Sequence, residues 1–248
     1  MGRLKIQDIP VLYADEWIMA VNKPPGVLSV PGRGTRPTVE GVLRRQGTLD
    51  PHAELRVVHR LDIWASGVMV FARSEDAQRI LTSRWSRREV EKVYLALVRG
   101  HLAGDGEVNL PLLVDRDAGR VVHSERFGKA AKTHYRVLER LMGHTLLECR
   151  PVTGRLHQIR VHLAGIGHPL AVDPLYGGGH AIMLSKLKPG YRPNRRGQEL
   201  PLIWRLSLHA ASVRMAHPDD GREMMFEAPL PKDFRATLRQ LRRLTDSP

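Results

Sequence analysis

The stretch "SGVMVFA", residues 66 to 72, constrains this chain most. A short apolar run bounded by polar residues predicts a buried strand. Directly before it stands "HRLDIWA", which puts His59, Arg60 and Asp62 at the mouth of that strand. Charged residues are rarely buried without partners. An aspartate beside a guanidinium stays ionised, and the fork of donors aims its oxygens. That suits a nucleophile or base working without a metal. A structural Arg–Asp pair closing a turn fits too, and on residue types alone it is the better reading.

Other segments sort by period and punctuation. "WIMAVNKPPG" predicts a strand ending at Lys23, stopped by Pro24, Pro25 and Gly26. "TVEGVLRRQG" predicts a short helix capped by Thr38, with Val39, Val42 and Leu43 on one face and Gly47 as its stop. "SEDAQRILTSRWSRREV" predicts an amphipathic helix capped by Ser74, with Ala77, Ile80, Leu81 and Trp85 inward. "KVYLALVRG" alternates: Val93, Leu95 and Leu97 face one way, Tyr94, Ala96 and Val98 the other. "KTHYRVLER" and "HTLLECRPV" predict paired strands. "TGRLHQIRVHLAGIG" predicts a helix with Leu156, Ile159 and Leu163 inward. "SLHAASVRMAHPDDGREMMFEAP" predicts a hairpin turning at Asp219, Asp220 and Gly221. "KDFRATLRQLRRL" predicts a last, basic amphipathic helix. Strands that pair locally with helices between them argue for an α+β fold with a mixed sheet.

The chain carries 39 Lys plus Arg against 26 Asp plus Glu, a net charge of +13. A basic surface neutralises phosphates, so nucleic acid is the expected partner. Cys149 is the one cysteine, which excludes an internal disulfide and fits a reducing cytoplasm. Its surroundings read as a strand, and a small core residue explains it better than a catalytic thiol. No signal-peptide core and no run of 18 apolar residues occurs, so neither export nor a membrane span is expected.

No Walker pattern, no G-x-G-x-x-G and no G-x-S-x-G elbow is present. The 12 histidines are scattered, and His157 and His162 lie five apart, off the spacing that shares a helix face. A metal site is therefore not expected. The compositional break is residues 185 to 205, with Lys186, Lys188, Arg192, Arg195, Arg196 and Arg205 against Glu199. It reads equally as a phosphate-binding arm and as a solvated insertion.

The block "HRLDIWASG" resembles the catalytic motif of the RluA family of pseudouridine synthases. Four further blocks resemble that family in its order: "AVNKPPGVLSVPGRG", "KVYLALVRG", "TGRLHQIRVHLAGIGHPLAVDPLYG", and "LSLHAASV" with its following "MFEAPLP". Together they run from about residue 11 to 234. The resemblance implies one catalytic domain over residues 1–248, with a mixed, mostly antiparallel sheet and flanking helices around a central cleft. It implies conversion of uridine in RNA to pseudouridine: the base is detached, rotated and rejoined through carbon. The base must first leave its stack. By resemblance, Asp62 is the catalytic aspartate and Tyr94 the tyrosine that packs on the base and takes the departing proton. Arg160 pairs with the aspartate, and Arg60 fills the space the base vacates. His59, Arg155, Lys23 and Arg33 are further RNA-binding candidates. An isomerisation needs no redox cofactor, ATP or metal.

The chain departs from the family pattern at three positions. Trp64 replaces a small or polar residue, Ala65 a threonine, and Leu156 a threonine or serine. Only 22 residues precede "KPPG", so no additional N-terminal RNA-binding domain is expected. The compact length looks closest to RluA proper. Its substrates are a transfer-RNA anticodon stem-loop and a hairpin of 23S-type ribosomal RNA, and these are the expected partners of a cytoplasmic monomer. The rival reading is an RNA-binding or RNA-remodelling protein on the same fold, with catalysis lost.

Overall fold

The computed structural model describes residues 8–32, 35–50, 52–188, 190–192 and 197–246. The chain opens with β1 (Val11–Ala14), β2 (Ile18–Lys23), α1 (Val39–Arg45), β3 (Arg56–Val57), β4 (Ser66–Ala72) and α2 (Glu75–Ser86). It continues with β5 (Glu91–Arg99), β6 (Gly106–Asn109), β7 (Leu112–Asp115), β8 (Arg120–His123), β9 (Lys132–Leu141), β10 (His144–Pro151) and α3 (Gln158–Gly165). A 3-10 turn at Leu184–Lys186 precedes β11 (Leu208–Ala216), β12 (Glu223–Glu227) and α4 (Lys232–Thr245). Packing divides these elements into two compact units. One runs up to Val93 and includes His209–Pro229; the other comprises Tyr94–Leu208 and the chain from Leu230.

In the first unit every residue of β4 is buried, as its apolar run predicts. β2 lies antiparallel along one edge, with Lys23 opposite Gly67. The other edge is shared: β11 runs parallel to the start of β4, and β3 pairs with its end. Here Gly67 is obligatory. Its φ is 116°, and a Cβ would lie 2.0 Å from the Ala210 carbonyl oxygen. α2 closes over this sheet. Ser74 caps it by accepting from the Ala77 N–H, and Ala77 and Leu81 enter the core with Val68, Val70, Val213 and Phe226. Thr38 caps α1 in the same way, through the Gly41 N–H. The predicted hairpin forms with Ala216 opposite Glu223 and Gly221 in the left-handed region of its turn.

In the second unit β10 pairs antiparallel with both β5 and β9, and β6 extends the sheet beyond β9. β7 and β8 make a separate hairpin. α4 lays Phe234, Leu238 and Leu241 against Leu97, Leu141 and Ile203. The architecture is α+β and mostly antiparallel, as expected. Two local expectations change. The helix predicted from "TGRLHQ" starts only at Gln158, because His157 is left-handed at φ 51° and the Gln158 side chain is spent on Thr153 and the Arg155 N–H. Arg205 is no part of a phosphate-binding arm, because it is buried and forked on Asp233 at 2.7 and 2.8 Å. Of the same segment, Arg195 and Arg196 lie outside the described residues.

Gly67→Ala should destabilise the protein by roughly 3 kcal/mol, from backbone strain and overpacking. Thermal unfolding should show a midpoint drop of about 6 to 12 °C. Gly104→Ala, where a Cβ meets nothing within 4 Å, should stay within about 0.5 kcal/mol of wild type.

Candidate active site

Asp62 is half-buried in the loop that leads into β4. Its neighbours on both sides are tied down. The Ser29 hydroxyl accepts from the Leu61 N–H at 3.0 Å and donates to the Leu61 carbonyl at 2.8 Å. The Ile63 carbonyl accepts from the Gly26 N–H at 2.7 Å, and the Asp62 carbonyl accepts from the Ala65 N–H at 3.0 Å. Lys23 closes the arrangement from the end of β2. Its ammonium donates to the carbonyls of Pro24, Ile63 and Ala65 at 3.0, 3.2 and 2.9 Å. Thus "KPPGVLS" and "LDIWA" are two halves of one loop structure, and the carboxylate of Asp62 projects from a backbone with little freedom.

Lys23 does not meet RNA as expected. It is fully buried, and its donors serve this loop. His59 is diverted as well. Its Nε2 accepts from the Val70 N–H at 2.9 Å, and its ring stacks on Trp85 with centroids 4.8 Å apart. Burial, with the positive charge of Lys92 added, pushes its pKa down to about 3. Neutral His59 is therefore an acceptor that braces β4. Arg60, by contrast, is exposed, and no hydrogen bond or ion pair engages it among the described residues. Arg33 lies outside the described residues.

At the start of β4, the Ser66 hydroxyl donates to His209 Nδ1 at 2.9 Å, and His209 Nε2 donates to the Ala228 carbonyl at 3.0 Å. This chain ties the start of the strand to the first turn of β11 and to the segment after β12. Sequence reasoning missed Ser29, Ser66 and His209 as supports, although each stands inside a family-like block.

Tyr94 is the first residue of the second unit, half-buried on β5 opposite Cys149. Arg160 is 7% exposed on α3. Its Nε and Nη2 fork onto Asp173 at 2.7 and 2.8 Å, and its guanidinium lies 4.8 Å from the Tyr176 ring centroid. Asp173, which the sequence reading passed over, is fully buried, so this is a desolvated, charge-compensated pair. A guanidinium has five N–H donors, and holding Asp173 does not exhaust them. Gln158 anchors the turn before α3 by donating to the Lys132 carbonyl and the Thr133 hydroxyl. His162 is bonded at both ring nitrogens, to Thr133 and the Leu110 carbonyl. Arg155 is exposed, with Nε donating to the Ala130 carbonyl at 3.2 Å. Burial pushes the Cys149 thiol far above its ordinary range, which suits a core residue and not a nucleophile. No group of histidine, cysteine or acidic side chains with metal-site geometry occurs among the described residues.

Comparison with known proteins decides the family. Residues 18–165 match the RNA pseudouridylate synthase family. The chain belongs to that family. It is 37% identical over 244 residues to ribosomal large subunit pseudouridine synthase D of Nitrosomonas europaea, spanning 96% of this chain and 67% of the relative. The Xanthomonas campestris protein of the same name is 40% identical over 241 residues, spanning 95% and 71%. Among solved structures, human RNA pseudouridylate synthase domain containing 4 matches with a TM-score of 0.69 at 27% identity, covering 94% of this chain and 92% of its own. The RluA-type family expectation and the α+β fold hold. The finer expectation of RluA proper finds no support in these relatives, which carry the D designation. No described helix is long and apolar enough to cross a membrane.

Replacing His59 by phenylalanine keeps a ring for Trp85 but strands the buried Val70 N–H, at a cost of about 1–3 kcal/mol. The folded pKa of about 3 lies below the ordinary 6.5, so His59 favours folding fully above pH 6.5 and loses that contribution as pH falls toward 3. Chemical denaturation between pH 7 and 4 should show a shallower decline for the variant than for wild type.

Proposed function

We propose that this protein isomerises specific uridines of large-subunit ribosomal RNA, with Asp62 as the catalytic carboxylate. One observation carries the assignment of the residue. The Asp62 loop is tied at Leu61, Ile63 and Ala65 by Ser29, Gly26 and Lys23, ahead of a strand buried along its whole length. Such preorganisation is what a carboxylate needs to meet one atom of a flipped base.

On this reading the two units act as one catalytic domain. Asp62 attacks or deprotonates during cleavage of the N1–C1′ bond. The freed uracil turns, C5 bonds to C1′ as Asp62 leaves the attacked carbon or returns the proton it took, and N1 gains a proton while the C5 proton leaves. Tyr94 packs on the base and receives that proton. Arg160, its charge balanced by Asp173, holds the negative charge that develops in the site. Arg60, exposed two residues before Asp62, enters the RNA and occupies the space left by the base. No step consumes a cofactor, because bonds and protons balance within the nucleotide and a side-chain base. The +13 net charge supports RNA binding. The relatives' names favour large-subunit ribosomal RNA as substrate over a transfer-RNA stem-loop. The enzyme acts as a monomer in the cytoplasm.

RNA transcribed with uridine tritiated at C5 tests this directly. Wild type should release tritium to water and leave pseudouridine at defined positions of large-subunit transcripts. Asp62→Asn should fall below roughly 1% of wild-type release, while filter binding of the same RNA changes little. Substantial turnover by Asp62→Asn would remove Asp62 from the chemistry. Tight binding by a wild type that makes no product would favour the non-catalytic alternative.

A further inference from the structure

We propose that Arg36 and Trp64 form a reading site for the nucleotide beside the target uridine, one that favours a purine there. This rests on the Asp62 reading and names what sets its substrate preference. Trp64 stands two residues after Asp62 and is half-buried. The exposed Arg36 guanidinium lies 5.3 Å from its ring centroid.

The pair is held in place by a shared support. The Leu28 N–H donates to the Pro37 carbonyl, and the Leu28 carbonyl accepts from the Val39 N–H, both at 2.9 Å. These bonds fix the chain immediately after Arg36. The next residue, Ser29, grips both backbone groups of Leu61, and Gly26 and Lys23 grip Ile63, directly before Trp64. One short segment, 23–29, therefore braces the chain next to both the arginine and the tryptophan, and the loop that carries Asp62.

The chemistry of the pair matches an unpaired nucleotide. An aromatic face takes a base by stacking, and a neighbouring guanidinium takes its phosphate or covers its other face. Flipping the uridine strips stacking from its neighbour. A ring two residues from Asp62, in the same braced loop, replaces that lost contact. A purine has the larger π surface and gains more from it. Tryptophan here departs from the small or polar residue of the family pattern, so the preference belongs to this chain and not to the shared mechanism.

The test uses unmodified transcripts of large-subunit ribosomal RNA, first to map the modified uridine and then with each base placed at its two flanks. Wild type should prefer a purine at one flank. Trp64→Ala should raise KM about 10-fold or more, hold kcat within about 2-fold, and erase that preference. Trp64→Phe, which keeps a ring, should retain most of both. Arg36→Gln should reduce the salt slope of RNA binding by about 0.7 to 1. Unchanged KM and flank preference in Trp64→Ala overturn the proposal. So does a loss of kcat accompanied by a lowered thermal midpoint, which marks a packing role. A wild type that forms no pseudouridine overturns the Asp62 reading and this one with it. An active wild type with an indifferent Trp64→Ala overturns this one alone.

Discussion

A buried lysine organises the first unit's site. Lys23 ends β2, is fully enclosed, and directs its ammonium onto the carbonyl oxygens of Ile63 and Ala65, which follow Asp62, and of Pro24. Burying an ammonium is costly unless its donors are satisfied. Carbonyl partners satisfy it, and in return they lose the freedom to rearrange. The same geometry explains why Ile63 and Ala65 can belong to a turn lying against a core strand: their backbone oxygens have partners where water cannot serve them. Ser29 repeats the device at Leu61 with a hydroxyl. The carboxylate thus emerges from a loop tied at Leu61, Ile63 and Ala65.

The second unit applies the same physics with a different pair. Asp173 is fully buried and would be prohibitive alone; Arg160 supplies a bidentate partner, and Tyr176 covers the guanidinium. The His157 ring stands within 2.8 Å of the Tyr176 hydroxyl, which also accepts from the Val121 N–H, so the ring over Arg160 is itself held by the β7–β8 hairpin. Arg205 and Asp233 make a comparable clamp that docks the start of α4. Arg205, which reads in the sequence as part of a phosphate-binding arm, is thus used by the fold.

That pattern marks the limit of what the sequence makes legible. β4, the Thr38 and Ser74 caps and the β11–β12 turn depend on neighbours a few residues away, and periodicity finds them. Lys23, Arg205 and Asp173 depend on partners distant in the chain, and residue type alone favours solvent for them. The late start of α3 has the same origin: Gln158 spends its side chain on Lys132 and Thr133, across the turn, so "TGRLH" cannot join the helix. Asp62 and Arg60 are legible only through the family-like blocks, since an Arg–Asp pair closing a turn reads the same way. Arg36 and Trp64 show no periodic signal, because their proximity follows from the bonds of Leu28 and Ser29.

On the proposed role of Asp62, Lys23 acts on the chemistry by holding the Asp62 loop. Pseudouridine formation by Lys23→Met, measured well below the variant's own unfolding midpoint, tests it most directly. Methionine fills much of the space but leaves the carbonyls of Ile63 and Ala65 without the ammonium. The account predicts a folded protein that still binds RNA, with kcat reduced about 100-fold by a misplaced carboxylate. Wild-type kcat in that variant would contradict it.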